Sequence, residues 1–209
     1  KSVIGDDGGF TWKYFSKVFQ KKYYQRAILG SLKISATVTL ITVLLATPLA
    51  YIMSTIKIKF ASALQILILV SSMSAPFIGA YAWIMLCGRN GTITNFLLNT
   101  FGIKLGDIYG FKGCVIVMSL QLYSLVFMFV SGAFKNMDNS LIEASESLGC
   151  SGIRKIFKVV LPLILPTLLS GALMVFMRTF ADYGTPMLIG ENYNTLPVVV
   201  YKEFLSEIG

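Results

Sequence analysis

KNMDNSLIEASESLGCSGIRKIFKVVLP, residues 135–162, lies between two long apolar runs and is the stretch from which the rest of the chain is read. Local rules build two short helices from it. Ser140 stands three residues before Glu143, the spacing of a capping box, so Ser140 is expected to open the first helix. Leu141, Ala144, Ser145 and Leu148 recur at helical spacing and share one face. Gly149 follows as a stop, because glycine enters the left-handed conformation that ends many helices. Ser151 is placed to cap a second helix, with Ile153, Ile156, Phe157 and Val160 as its apolar stripe. Arg154, Lys155 and Lys158 form its basic face, and Pro162 should bend it into the apolar run that follows. Two readings fit such a helix–glycine–helix. It is either a linker covering its own helix ends or a docking element whose first helix enters a partner's groove.

Outward from this loop the chain is apolar. Of 209 residues, 55% are hydrophobic and 13% charged, against about 25% charged in ordinary soluble domains. The mean hydropathy is +0.71. Four spans are expected, at about 29–55, 61–87, 111–134 and 160–181, each at or above the roughly 20 helical residues that cross a hydrocarbon core of ~30 Å. Pro48 and Pro76, the latter near Gly79, are expected to bend the first two. None carries Asp or Glu in its middle, and Lys33, near the start of the first, can snorkel to the headgroups. Residues 1–26 are basic and aromatic, with Trp12, Phe15, Val18 and Phe19 at helical spacing, and read as an interfacial segment. The fold class is all-α, a polytopic transmembrane helix bundle.

Charge and chemistry narrow the function classes. The net charge is +8 with no histidine, and the basic residues sit at the ends of apolar runs, where headgroups explain them better than nucleic acid does. Cys87, Cys114 and Cys150 lack metal-ligand or disulfide spacing and read as small apolar residues. No nucleophile-plus-base pattern or metal cluster suggests an enzyme. Lys57 and Lys59, and then Lys135, Arg154, Lys155 and Lys158, fall on one side if four spans alternate. The positive-inside rule would make that side cytoplasmic. Lys13, Lys17, Lys21, Lys22 and Arg26 oppose this, so charge alone leaves the orientation open.

The loop resembles the EAA loop of binding-protein-dependent (ABC-type) importer permeases, whose pattern is EAA, three residues, G, nine residues, I-x-L-P. Glu143-Ala144-Ser145, Gly149 and Val159-Val160-Leu161-Pro162 keep that spacing, with Ser145 in place of the second alanine and Val159 in place of isoleucine. The resemblance implies a type I ABC importer permease fold of five or six helices per half. It places residues 27–182 in the membrane domain, the coupling loop 135–160 in the cytoplasm, and 1–26 and 183–209 outside. The first and last helices of that fold are then expected to lie beyond this sequence. It also implies that Glu143 contacts an ATPase subunit, that Ala144 and Ser145 keep the helix thin, that Gly149 makes the turn, and that Leu161 and Pro162 close the motif. The implied partners are an ATP-binding subunit carrying ATP and Mg, a second permease half, an external substrate-binding protein and lipid, in the bacterial cytoplasmic membrane. The chain itself is then no enzyme and holds no cofactor.

Ala181-Asp182-Tyr183-Gly184-Thr185-Pro186 resembles a stretch of ferric-iron-type permeases, which implies ferric iron as cargo. Relatives carrying thiamine, phosphonates or polyamines have similar segments. Phe10-Thr11 and Pro48-Leu49-Ala50-Tyr51 also resemble this broader group. Arg178 and Asp182, four apart, are expected to pair on one helix face and either line a translocation path or form a surface pair of small value. The rival of a different class is an ion-gradient-driven secondary transporter.

Overall fold

A computed structural model describes residues 21–55, 61–71, 75–102, 107–147, 150 and 152–208. Residues 1–20 of the interfacial segment expected over 1–26, the Lys57/Lys59 link, Leu148, Gly149 and Ser151 lie outside the described residues.

Three helices are long and apolar enough to cross a membrane. The first, α1, spans Lys22–Thr55. It starts before the expected boundary at 29, because loss of hydrophobicity marks where lipid ends and not where the helical backbone must end. The second long helix, α5, spans Phe111–Lys135. The third, α8, spans Leu161–Ala181 and continues a π-helical turn at Ile156–Val160. Helices α1 and α5 run parallel, with Phe111 near Tyr193, whose hydroxyl bonds Gly30, at one end, and Tyr51 against Phe134 at the other. Helix α8 packs against both.

Parallel neighbours require the chain to return between them. It does so in two pieces, α2 (Ala61–Ser71) and α3 (Pro76–Cys87), and not as the single bent span expected over 61–87. Lys135 Nζ donates to Gln65 at 3.3 Å, which places α2 at one end, and Arg89, just past α3, bonds Asp107 at the other. The break is a proline effect. Ala75 is extended (φ −64°, ψ 141°), as a residue before proline prefers, and Pro76 opens a new helix where its missing N–H costs nothing. Pro48 and Pro166, in contrast, stay inside α1 and α8.

Helix α4 (Thr92–Phe101) follows α3 and ends at Gly102, whose φ of 66° is the left-handed stop of a helix. Residues 183–209, expected as a loop, contain α9 (Gly184–Ile189) and α10 (Leu196–Ile208). Pro186 and Pro197 fall in the first turns of these helices, where proline is tolerated.

Small side chains let the long helices approach. The buried face of α1 is Ala27, Ser31, Ile34, Ser35, Val38, Thr42, Ala46, Ala50 and Met53, in steps of three or four apart from the neighbours Ile34 and Ser35. On α8 it is Ile164, Leu168, Gly171, Val175 and Thr179. A Cβ at Gly171 would lie 3.3 Å from the Phe129 side chain, the close approach that small residues allow in membrane helices. Opposite these faces, Leu40, Leu44, Leu169, Leu173 and Met177 are exposed. This is an outward surface for lipid and not for water. Thr37 and Thr39 donate to the carbonyls four residues back, at 2.7 Å each, so these hydroxyls carry no unmet polarity into that surface.

Candidate functional site

The loop joining α5 to α8 contains the expected helix–break–helix. Its first helix, α6, spans Asn139–Ser147. The cap is Asp138, not Ser140: Asp138 Oδ1 accepts the Ser140 backbone N–H at 2.9 Å. A carboxylate there meets both the unpaired N–H groups and the positive end of the helix, so it displaces the hydroxyl two residues on. The same bond holds the Asp138 carboxyl below the usual carboxylate range.

Glu143 and Ala144 on α6 are exposed, whereas Ser145 is buried, its hydroxyl donating to the Ile142 carbonyl at 2.7 Å. The expected common face of Leu141, Ala144 and Ser145 is therefore divided: Leu141 and Ala144 look outward and Ser145 inward. Cys150 N–H donates to Ser145 O at 2.9 Å and closes the end of α6. Gly152 (φ 60°) opens the short helix α7, Gly152–Lys155. Beyond it the backbone widens, and Leu161 N–H reaches back five residues to Ile156 O. Pro162 supplies the cause: its ring would press on the carbonyl four residues back, and a π turn opens that space. Leu161 is half-buried and Pro162 exposed. Phe157, expected on the second helix's apolar stripe, is 64% exposed, while Val160 is buried.

An ion pair joins the two halves of the loop: Lys155 Nζ bonds Glu146 Oε1. That hydrogen bond and the carboxylate charge hold the lysine above its ordinary range. Beneath the pair is a cavity of about 200 Å³ whose walls include Tyr51, Ser54, Phe134, Ile142, Lys155 and Val160. A larger groove of about 690 Å³ runs between α5 and α8 past the start of α6, along Met128, Phe129, Gly132, Leu141 and Leu163.

Residues 35–204 match the family described as binding-protein-dependent transport system inner membrane component. The chain belongs to that family. Among the inner membrane components similar to it is the putative ferric transport system permease protein FbpB 1 of Haemophilus influenzae, 26% identical over 96% of this chain and 32% of the relative. The chain thus spans about a third of the length of that ferric permease. The putative 2-aminoethylphosphonate transport system permease protein PhnU of Salmonella typhimurium is 26% identical over 99% of this chain and 74% of the relative. A crystal structure of a bacterial alginate ABC transporter in complex with an alginate pentasaccharide-bound periplasmic protein contains a chain of the same fold. Its TM-score is 0.76 at 17% identity, covering 95% of this chain and 73% of that one. An all-α bundle of the type I importer permease kind is thereby the fold of this inner membrane component.

At the opposite end of this family member, the expected Arg178–Asp182 pair does not form among the described residues. Helix α8 ends at Ala181, Asp182 turns extended (ψ 126°), and its Oδ1 accepts the Gly184 N–H at 2.8 Å instead. The i, i+4 argument presumed that the helix runs on through Asp182. A cluster invisible to local spacing forms there: Arg89 bonds Asp107 Oδ2 and Glu191 Oε1, each at 2.8 Å, and its guanidinium stands over the Tyr109 ring at 4.9 Å. Its members are 18 and 102 residues apart, so no sequence window contains it.

Proposed function

We propose that this chain is the membrane-spanning permease part of an ATP-driven importer, coupled to a separate ATPase subunit through residues 135–160. The observation that carries the reading is the exposed face of α6. Glu143 and Ala144 are exposed while Ser145 of the same helix is buried, in a chain of a binding-protein-dependent transport family. A short helix with one anchored face and one free face suits insertion into a partner's groove. In this reading the loop end faces the cytoplasm and the Arg89 end faces outward. Glu143 meets polar or basic groups of the ATPase, and Gly149 supplies the turn. Leu161 and Pro162 direct the second helix into α8. ATP and Mg act on the partner subunit. A second permease half and an external binding protein complete the assembly. The last of these is supported by the alginate transporter of the same fold, whose crystal structure is a complex with a periplasmic protein.

ATP binding closes the ATPase subunits and moves the coupling helices. The bundle shifts because the two nucleotide states bind its inward-open and outward-open forms with different affinity. The three long helices contain no Asp or Glu, which favours this motor over an ion-gradient mechanism, whose spans normally carry ionisable groups. Arg178 and Asp182 are proposed to flank the outer part of the pathway singly and not as a pair.

Ferric iron is the proposed cargo, on the Ala181–Pro186 stretch and the ferric permease relative. 2-Aminoethylphosphonate is the second reading, on PhnU. Uptake of radiolabelled ferric iron into cells expressing the full transporter, with 2-aminoethylphosphonate, thiamine and spermidine as competitors, tests the cargo. Iron uptake resistant to all three is expected, and absence of iron uptake overturns it. For coupling, Glu143→Lys is expected to abolish uptake and weaken ATPase association with the protein still in the membrane. Unchanged uptake overturns the assignment.

A further inference from the structure

The loop's second half contains a mechanical weakness. Between α7 and α8 the backbone passes through the π turn of Ile156–Val160, where hydrogen bonds reach five residues back. Such turns are local defects in a helix and often mark functional sites. Any displacement of α6 that is to reach α8 along this side must cross that turn. Helix α6 itself packs mainly against α7 and the π turn, and the cavity of about 200 Å³ lies between it and the feet of α1 and α5. Packing alone therefore leaves α6 room to pivot.

One side chain crosses this gap. Lys155 is the last residue of α7, its side chain is 20% exposed, and its ammonium bonds Glu146 in the final turn of α6. The cavity that Lys155 lines is also walled by Tyr51 and Ser54 of α1, Phe134 of α5 and Val160 of the π turn. Lys155 thus bonds the coupling helix at its tip and shares a cavity with the feet of both parallel long helices.

We propose that Lys155 is a positioning residue for coupling: its bridge to Glu146 braces α6 against α7, so that motion of α6 enters the π turn and α8 as that of one body and is not lost in a pivot between the two loop helices. This rests on the assignment of α6 as the ATPase-docking helix. Loss of the brace should leave docking intact and reduce transmission.

The test uses the complete transporter in proteoliposomes with its ATPase and binding protein, comparing wild type with K155M, K155R, E146K and the E146K/K155E double reversal. Three quantities are read: ATPase subunit retained on the purified permease, ATP hydrolysis with binding protein divided by hydrolysis without it, and uptake of radiolabelled ferric iron per ATP. K155M and E146K are expected to retain the ATPase subunit while the hydrolysis ratio and the uptake per ATP each fall about tenfold, a loss of the size typical of coupling between sites. K155R and the double reversal should recover about half or more of the wild-type ratio, which a merely space-filling lysine would not predict for the reversal. A K155M ratio within about twofold of wild type, or a double reversal no better than E146K alone, overturns the brace. Glu143→Lys serves as the separate control: if it too retains the ATPase subunit and full coupling, the docking assignment has failed and not the brace alone.

Discussion

The two ends of the bundle are held by different kinds of bond. At the Arg89 end the ties join residues far apart in the chain. Tyr193 Oη donates to Gly30 O at 2.6 Å, Leu196 N–H to Ser31 Oγ at 2.7 Å and Gly110 N–H to Ile189 O at 2.8 Å. Arg89 adds Asp107 and Glu191. One segment, residues 189–196, thereby fastens the starts of α1 and α5 and the end of α3. At the loop end the ties are between near neighbours: Asp138 with Ser140, Ser145 with Ile142, Cys150 with Ser145, Glu146 with Lys155. Lys135 to Gln65, 70 residues apart, is a longer-range hydrogen bond there. Long-range ties resist opening of the whole fold, whereas local ties let an element move without unfolding its neighbours. The molecule has one end built as a clasp and the other as an appendage.

That contrast can be broken most directly by exchanging the expected consequences of mutation. Glu143→Lys at the loop end should lower uptake by roughly a hundredfold or more, the upper range for lost coupling between sites, with no change in the thermal midpoint of the purified protein in detergent. A fall in the midpoint would show that α6 is part of the clasped body. Tyr193→Phe combined with Ser31→Ala should do the reverse. Each removes one hydrogen bond, together about 2 kcal/mol, read as a lower midpoint. Burial already pushes the Tyr193 hydroxyl above its ordinary pKa, so it stays a donor throughout the working range.

The smallest effect sharpens the comparison within the clasp itself. Arg89→Met should leave the midpoint unchanged, because exposed ion pairs contribute little to global stability, yet speed amide exchange at 107–110 and 190–195. The same exchange should depend on pH with a defined sign. The Arg89 hydrogen bond holds the Asp107 carboxyl below its ordinary value of 3.8, so its contribution is present above that value and is lost as pH falls through the lowered one. Arg89 is pushed above its ordinary value and stays charged. Protection that is flat at neutral pH and lost only in acid is expected. Protection lost near neutrality would exclude the pair as its source.

Much of this architecture is legible in the sequence, and what is not has identifiable causes. The long helices follow from apolar length alone, and the helix–break–helix from residues 135–162. Proline acts less uniformly than its local rule suggests. Pro48 stays within α1, which packs along α5 and α8 with Ala46 and Ala50 buried on either side of it. Pro76 follows α2, whose Leu64, Ile66 and Leu67 are exposed, and there it starts a new helix. Asp138 caps α6 although the capping-box spacing favours Ser140, because a carboxylate outcompetes a hydroxyl for the same N–H groups. Arg178 and Asp182 do not pair because the helix stops one residue short of the acid. The Arg89 cluster and the 189–196 clasp include separations of 102 and 163 residues, which no local rule reaches.

The interrupted return between α1 and α5 also bears on how the protein is made. At 1.5 Å per residue, α3, with 12 residues between Ala75 and Gly88, is roughly 18 Å long. Alone it does not match a hydrocarbon core of ~30 Å, so it would not settle across a bilayer as an isolated segment during synthesis. Arg89, just past its end, bonds Asp107 and Glu191, and these emerge from the ribosome later. Biogenesis of this crossing is therefore a cooperative, late event. The order of insertion follows the packing and not the order of the sequence.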